Sequence, residues 1–379
     1  MRILRRYMAR QIYLHVGFVL LGFVGLFAFV DLVAEMRDLG RGGYGVIEIV
    51  TVIALRIPGM AYELMPVAAL IGTVWALSQM AGASEFTVAR ASGMGPGLVL
   101  SAIGRIGIPL VVLTLVLAEL VLPVTETLAL QTRAGALGRP GAGVLSSGYW
   151  LRDYPTGADG RAQGHRMINL QGMAADRSLR GITVYQFSDD LRLQEVIRAQ
   201  SGVFLQSGVA GGREYSDWKL EGTTLQRMDQ KTGSIQGQKS GSTILRSSLS
   251  PATLGALMVK PEQMSARELY LYVGYLKEGR QVAGRYEIAF WKKLVYPVAV
   301  WVMMILALPA AYLQARGGAV GLKVFLAIVA GVGFHLINSL FAHLGVLNTW
   351  PPAVVVSLPS VLALLLGLAM LWRVQRHSL

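Results

Sequence analysis

Two long apolar stretches flank a polar one. Apolar residues dominate from about Ile12 to Leu122 and again from about Leu294 to Leu371, while Gly, Ser, Gln and Arg prevail from about Ala134 to Lys260. A membrane-crossing helix needs about 20 mainly apolar residues. Six segments meet that need: Ile12–Val33, Val46–Leu77, Leu98–Leu122, Leu294–Leu313, Val324–Leu347 and Ala353–Trp372. The second is overlong and contains Arg56, Pro58, Glu63 and Pro66, which predicts a tilt or a kink. The polar block carries strand-like runs at Arg166–Leu170, Gly181–Phe187, Glu195–Leu205 and Asp217–Met228. Turn signals punctuate them, such as Ser188-Asp189-Asp190 and Gly211-Gly212. A helix is predicted at about Ser265–Glu278, returning the chain to the membrane.

The predicted fold class is an α-helical membrane protein with six transmembrane helices, three and three, and an inserted all-β, jelly-roll-like domain. Three units follow: residues 1–133 with the first three spans, 134–262 with the β domain, and 263–379 with a connecting helix and the last three spans. The 53% apolar content and mean hydropathy of +0.49 exclude an ordinary soluble protein. The N-terminal run is span-length and lacks a small-residue cleavage site, so it reads as a retained first helix rather than a signal peptide.

Charge sets the predicted orientation. One set of short loops and ends carries Arg2, Arg5, Arg6, Arg10, Arg90, Arg105, Arg316, Lys323, Arg373 and Arg376, whereas Gly345–Pro352 carries no charge. The positive-inside rule then places both termini in the cytoplasm and the β domain outside. The net charge of +13 is spread over loops and span ends, which favours anionic lipid over nucleic acid as partner. Lys292 and Lys293, at the outside end of the fourth span, run against the rule; snorkelling and phosphate binding both account for them.

The absence of cysteine excludes disulfides, thiolate metal sites and cysteine nucleophiles. There is no G-x-x-x-x-G-K-[ST] loop and no strand–helix G-x-G-x-x-G, so ATP-driven work requires a separate ATPase chain. No catalytic, cofactor-binding or metal site is predicted. Arg56, Glu63 and Glu119 are charges inside apolar spans, which face a cavity or a partner, but nothing orients them toward a nucleophile. His335 and His343 are eight apart and suit interhelical hydrogen bonds better than a metal.

Three constellations remain. Between spans two and three stands Ser84-Glu85-Phe86-Thr87-Val88-Ala89-Arg90-Ala91-Ser92-Gly93. Ser84 suits an N-cap, Glu85 a helix start, Arg90 the last turn, and Gly93 the stop. Such a helix across the membrane face, with Glu85 and Phe86 exposed, fits a docking element for an ATPase; an ordinary loop helix has the same pattern. At the outside end of span one, Arg37 and Arg41 are four apart, on one face if the helix continues. Arg133 lies at the outside end of span three. Together they form a candidate phosphate rim, with local pairing to Glu35 and Asp38 as the plainer reading. Gly22, Gly25 and Ala28 place small residues along one face of span one, which permits close packing by a partner helix.

These residues resemble the LptF/LptG permeases, the transmembrane subunits of the lipopolysaccharide export ABC transporter, over nearly the full chain. Ser84–Gly93 looks like the family's coupling-helix segment. Pro66-Val67-Ala68-Ala69-Leu70-Ile71-Gly72 and Ile108-Pro109-Leu110-Val111 are similar to its membrane signatures. Gly284–Lys293 and Leu306-Ala307-Leu308-Pro309 look like the LptG side of the family. Near Asp31 this chain has an acid where some members have a base.

The resemblance implies an inner-membrane subunit with a periplasmic β-jelly-roll, paired with LptF around a cavity for lipopolysaccharide. It implies an LptB ATPase dimer docked at Ser84, Glu85, Phe86 and Arg90, using ATP and magnesium that this chain does not bind. An LptC helix would lie beside Gly22, Gly25 and Ala28, and the lipid would pass through LptC to LptA. Arg37, Arg41 and Arg133 would hold its phosphates. Two other classes stand as rivals. One is a mechanotransmission ABC protein that moves no lipid and usually has four spans. The other is an envelope-lipid enzyme, which needs a nucleophile–base or metal set.

Overall fold

The computed structural model describes residues 2–93, 95–137, 148–153, 165–173, 178–188, 190, 192–210, 213–228, 235–251, 254, 261–278, 283–312, 320–348 and 350–376. All six predicted spans are helices long and apolar enough to cross a membrane. The first is α1 (Arg2–Glu35), and the second is α2 (Val46–Gly82). A short α3 (Glu85–Ala91) precedes the third, which is α4 (Pro96–Val116), a π-turn (Leu117–Val121) and α5 (Leu122–Ala136). After the sheet come α6 (Ala266–Glu278), α7 (Gly284–Leu306), a one-turn α8 (Pro309–Tyr312), α9 (Val320–Asn348) and α10 (Pro352–Arg376).

Prolines shape these helices locally. Helix α2 runs unbroken through Pro58 and Pro66. The Tyr296 hydroxyl donates to the Glu63 carbonyl, one residue after the Tyr62 carbonyl that Pro66 leaves without its helical donor. Pro123 cannot donate to the Glu119 carbonyl, and the widened π-turn lies just before it. The fourth span was expected at Leu294–Leu313. It instead begins at Gly284 and stops at Leu306, because Pro309 follows and starts its own turn.

Helix α2 is the axis of the bundle. It touches α1, α5, α7 and α9, and 78% of its most apolar window is buried. The same window of α1 is only 6% buried. The two helices still meet closely at one crossing. A Cβ on Gly72 would lie 2.5 Å from the Val16 Cα, so only glycine lets the backbones approach there. Met8, Ile12 and Val16 of α1 pack with Met65, Ala68 and Leu77 of α2 in the largest apolar cluster.

The inserted domain is one antiparallel sheet of β1 (Tyr149–Asp153), β2 (His165–Met173), β3 (Leu179–Phe187), β4 (Leu193–Ala210), β5 (Arg213–Met228) and β6 (Ile235–Ser247), in spatial order β1 to β6. Every pairing among the described strands joins chain neighbours, so the connectivity is a meander without Greek-key crossovers. The expected inserted β domain is thus a single meander, and that meander curls on itself. In a flat sheet β1 and β6 would stand five strand spacings apart, roughly 24 Å. Instead Asp153 of β1 accepts from the Ser248 N–H at 2.8 Å, and Arg166 of β2 donates to the Arg246 carbonyl of β6 at 2.8 Å. The fold-over encloses Ile168, Ile182, Val184, Ile197, Trp218 and Leu220, and the Trp218 indole donates to the Leu249 carbonyl. Ser188 closes the β3–β4 turn through its hydrogen bonds with Arg192; Asp189, Gly211 and Gly212 lie outside the described residues.

The expected connecting helix is α6. Ser265 and Glu268 form a reciprocal capping box at its start: the Ser265 N–H donates to the Glu268 carboxylate, and the Glu268 N–H donates to the Ser265 hydroxyl.

Candidate functional site

Polar groups concentrate at two levels near the β domain and at one level at the opposite, far end of the bundle. The first lies where α1 gives out. After Glu35 the chain makes a single 3₁₀ turn (Met36–Asp38) and then a loop with Gly40 and Gly42 in the left-handed region. A Cβ on Gly42 would stand 2.9 Å from the Ala136 carbonyl oxygen, and the Gly43 N–H donates to that oxygen at 2.7 Å. The loop is thereby fastened to the end of α5.

This fold-back assembles a charge cluster around Glu35, whose residue is 5% exposed. The Glu35 carboxylate accepts from Arg56 of α2 at 2.9 Å, from Arg133 of α5 at 2.9 Å and from the Tyr44 hydroxyl at 2.9 Å. Arg133 also donates to Asp38 at 2.7 Å, and Arg41 pairs with Asp38. Arg56 stands 3.7 Å from Asp31. Burial first, and then the neighbouring Glu35 carboxylate, push the Tyr44 hydroxyl up to about 12, so it stays a donor.

Three carboxylates thus answer three arginines across α1, α2 and α5. Arg41 and Arg133 come together as expected, but in the local pairing with Glu35 and Asp38. Arg37 does not join Arg41 on one helical face, because the helix ends at Glu35; it is exposed and in no ion pair among the described residues. Glu35 and Tyr44 are the hub that sequence reasoning left in the background. The acid spacing Asp31, Glu35, Asp38 was the signal for it.

A second level lies toward α6. Lys293 is 4% exposed and donates to the Ala118 carbonyl at 2.9 Å, an acceptor inside the π-turn. It neither snorkels nor faces solvent, so both expectations for it are corrected: burial against the third span leaves a backbone carbonyl as its partner. Beside it, Glu119 accepts from the Ala266 N–H at 3.0 Å, and Glu126 accepts from Gln263 at 2.7 Å. These carboxylates tie the third span to the start of α6.

At the far end, α3 forms as predicted, but its residues are arranged differently. Ser84 has φ of 61° rather than the extended backbone of an N-cap, because the chain must reverse within two residues of Gly82. Glu85 is half-buried and accepts from the Tyr7 hydroxyl of α1 at 3.2 Å. Phe86 was expected to be exposed. It is 2% exposed, edge-on to Tyr312 with ring centroids 5.2 Å apart, so it anchors the helix instead of facing a partner. Val88 is the exposed apolar residue of α3. Gly93, at φ of 91°, ends the segment as predicted; the Arg90 side chain lies outside the described residues.

Along α1, Gly22 and Gly25 open onto empty space, while Ala28 packs beside Tyr44 and Val52. The small face is therefore uncovered at its two glycines.

Six helices able to span a membrane, with a curled sheet inserted between the third and fourth, are the architecture of a polytopic membrane protein. The model of the lipopolysaccharide export system permease family LptF/LptG matches residues 6–373, and the chain belongs to that family. It is 30% identical over 373 residues to the lipopolysaccharide export system permease protein LptG of Escherichia coli K12, covering 98% of each chain. It is 29% identical over 374 residues to the LptG protein of Haemophilus influenzae, covering 97% of each.

Proposed function

We propose that the chain is the LptG-side permease subunit of an ATP-driven exporter. It would take lipopolysaccharide from the outer leaflet of the inner membrane and pass it to a periplasmic β bridge. The observation that carries this is the full-length family match together with an arginine cluster where the spans meet the β domain. In this reading residues 1–133, 134–262 and 263–379 are the working units, both termini are cytoplasmic, and the β domain is periplasmic. LptF is the second permease chain, LptB supplies ATP hydrolysis with magnesium, and LptC and LptA receive the lipid. The chain itself holds no cofactor.

The geometry supports a defined division of labour. An amphiphile needs apolar walls for its acyl chains, and α1 and α9 leave most of their apolar windows bare. It needs cations for its phosphates. Arg133 and Arg41 are pre-aligned by Asp38 and Glu35, and they can exchange carboxylate for phosphate in the same fork geometry. Because that exchange frees carboxylates, lipid release restores the original pairs and carries its own driving force. At the far end, α3 is held to α1 by Tyr7–Glu85 and to α8 by Phe86–Tyr312, so a push on α3 moves both halves.

The test is ATPase activity and lipopolysaccharide photocrosslinking of the chain co-purified with LptF and LptB in lipid. Arg133→Gln, which keeps Glu35 paired with Arg56 and Asp38 paired with Arg41, is expected to reduce crosslinking at least tenfold while LptB still co-purifies. Glu85→Ala is expected to uncouple ATP hydrolysis from transport. Normal coupling without any lipid crosslink would replace this reading with the mechanotransmission one.

A further inference from the structure

Three arginines at the far end have no carboxylate to answer them among the described residues. Arg5 and Arg6 of α1 and Arg105 of α4, with Ala9, Tyr13 and Ile106, line an open cavity of about 450 Å³. None of the three is in an ion pair among the described residues, whereas Arg41, Arg56 and Arg133 near the β domain all are. Two of the lining residues are fixed to each other: the Tyr13 hydroxyl donates to the Ile106 carbonyl at 2.8 Å and fastens α1 to α4 beside Arg105.

Its depth in the bilayer follows from the helix. From Gln11 to Val30, α1 has no Asp, Glu, Lys or Arg, a run of about 20 residues and roughly 30 Å at ~1.5 Å per residue. This equals the hydrocarbon thickness. Arg5 and Arg6 therefore lie at headgroup level, and Tyr13 about two turns further in. Arg105 stands next to Ile106, whose carbonyl accepts the Tyr13 hydroxyl, and lines the same cavity as Arg5 and Arg6. Positive charge at the headgroup plane, above apolar walls from Ala9 and Ile106, matches a phosphate that carries acyl chains.

We propose that this cavity binds the phosphate of an anionic phospholipid of the far-end leaflet, with Arg5, Arg6 and Arg105 as its cations. The site is separate from the cluster near the β domain, and it rests on the membrane-spanning reading alone, not on the exported lipid. One residue after Arg6, Tyr7 donates to Glu85 of α3, so a lipid in the cavity steadies the α1 start against the docking helix.

The experiment places the full chain in nanodiscs of phosphatidylcholine with a minority of cardiolipin or phosphatidylglycerol, and counts retained lipids by native mass spectrometry. Wild type is expected to retain the anionic lipid selectively. The triple variant Arg5→Gln, Arg6→Gln, Arg105→Gln is expected to lose about a hundredfold in affinity, from ~1 kcal/mol per arginine at ~1.4 kcal/mol per decade. The triple Arg→Lys variant should keep most of the binding, and Arg227→Gln on the β-domain surface should keep all of it. Equal retention by wild type and the triple glutamine variant, with both folded by circular dichroism, would overturn the proposal. So would full displacement by inorganic phosphate with no preference for lipid, which would make the occupant a soluble anion.

Discussion

The two ends of the bundle use the same side chain in opposite ways. Near the β domain, Arg56 and Arg133 converge on one buried carboxylate, and Arg41 and Arg133 share a second. At the far end Arg5, Arg6 and Arg105 surround an open cavity with no acid among their described neighbours. Paired arginines are held in place and contribute to the fold; unpaired ones stay available, and their removal costs the fold little. Arginine counts along the chain therefore say where phosphates could go, but pairing says which arginines also hold helices together.

The comparison can be broken most directly at Glu35. Replacing it with alanine leaves the Tyr44 hydroxyl without its acceptor and leaves Arg133 and Arg56 with only Asp38 and Asp31, and is expected to cost about 2–3 kcal/mol. This is below the ~3–5 kcal/mol for breaking a fully buried pair, because both guanidinium groups are partly exposed. Chemical unfolding in detergent would measure it; a loss under ~0.5 kcal/mol would show the cluster to be ornamental to the fold.

A smaller effect is expected in the β domain, where Arg246 donates to Asp217 at 2.9 Å and holds its carboxyl below the usual carboxylate range. A depressed folded-state value means the stabilisation is present above the ordinary value near 3.8 and is lost as pH falls through the folded one. Asp217→Asn should therefore flatten the acid limb of the domain's unfolding curve below about pH 4. An unchanged acid limb would remove Asp217 from the account.

At the far end, Ser84→Gly should stabilise by about 0.5–1 kcal/mol, since a left-handed backbone is strained for serine and free for glycine. Smallest of all, the glutamine substitutions of Arg5, Arg6 and Arg105 should each change stability by less than ~0.5 kcal/mol. A cost as large as that of Glu35→Ala would erase the distinction between the two ends.

Much of this was legible in the chain. The six spans follow from runs of about 20 apolar residues, and the strands from alternation between glycine-rich turns. Strands β1 and β6 escaped notice because Tyr149–Asp153 is short and Ile235–Ser247 is mostly polar. Arg41 and Arg133 were singled out by position. Their state was not legible, because it depends on Gly40 and Gly42 ending α1 and folding Asp38 back onto α5. Phe86 was misplaced for a related reason. A seven-residue helix offers too few turns to show which face is buried, and only Tyr312, far along the chain, decides it.

By itself, then, the sequence determined the membrane-spanning class, the three-plus-three layout around a β insert, and the family, because hydrophobic run length and local motifs are one-dimensional quantities. Tertiary structure alone decided that the sheet closes edge to edge through Asp153 and Ser248. It also decided that Lys293 ends on a π-turn carbonyl, and which arginines are paired and which stand open. The sheet closure, the Lys293 contact and the Arg133–Glu35 pair join groups 95, 175 and 98 residues apart, and no local pattern encodes them.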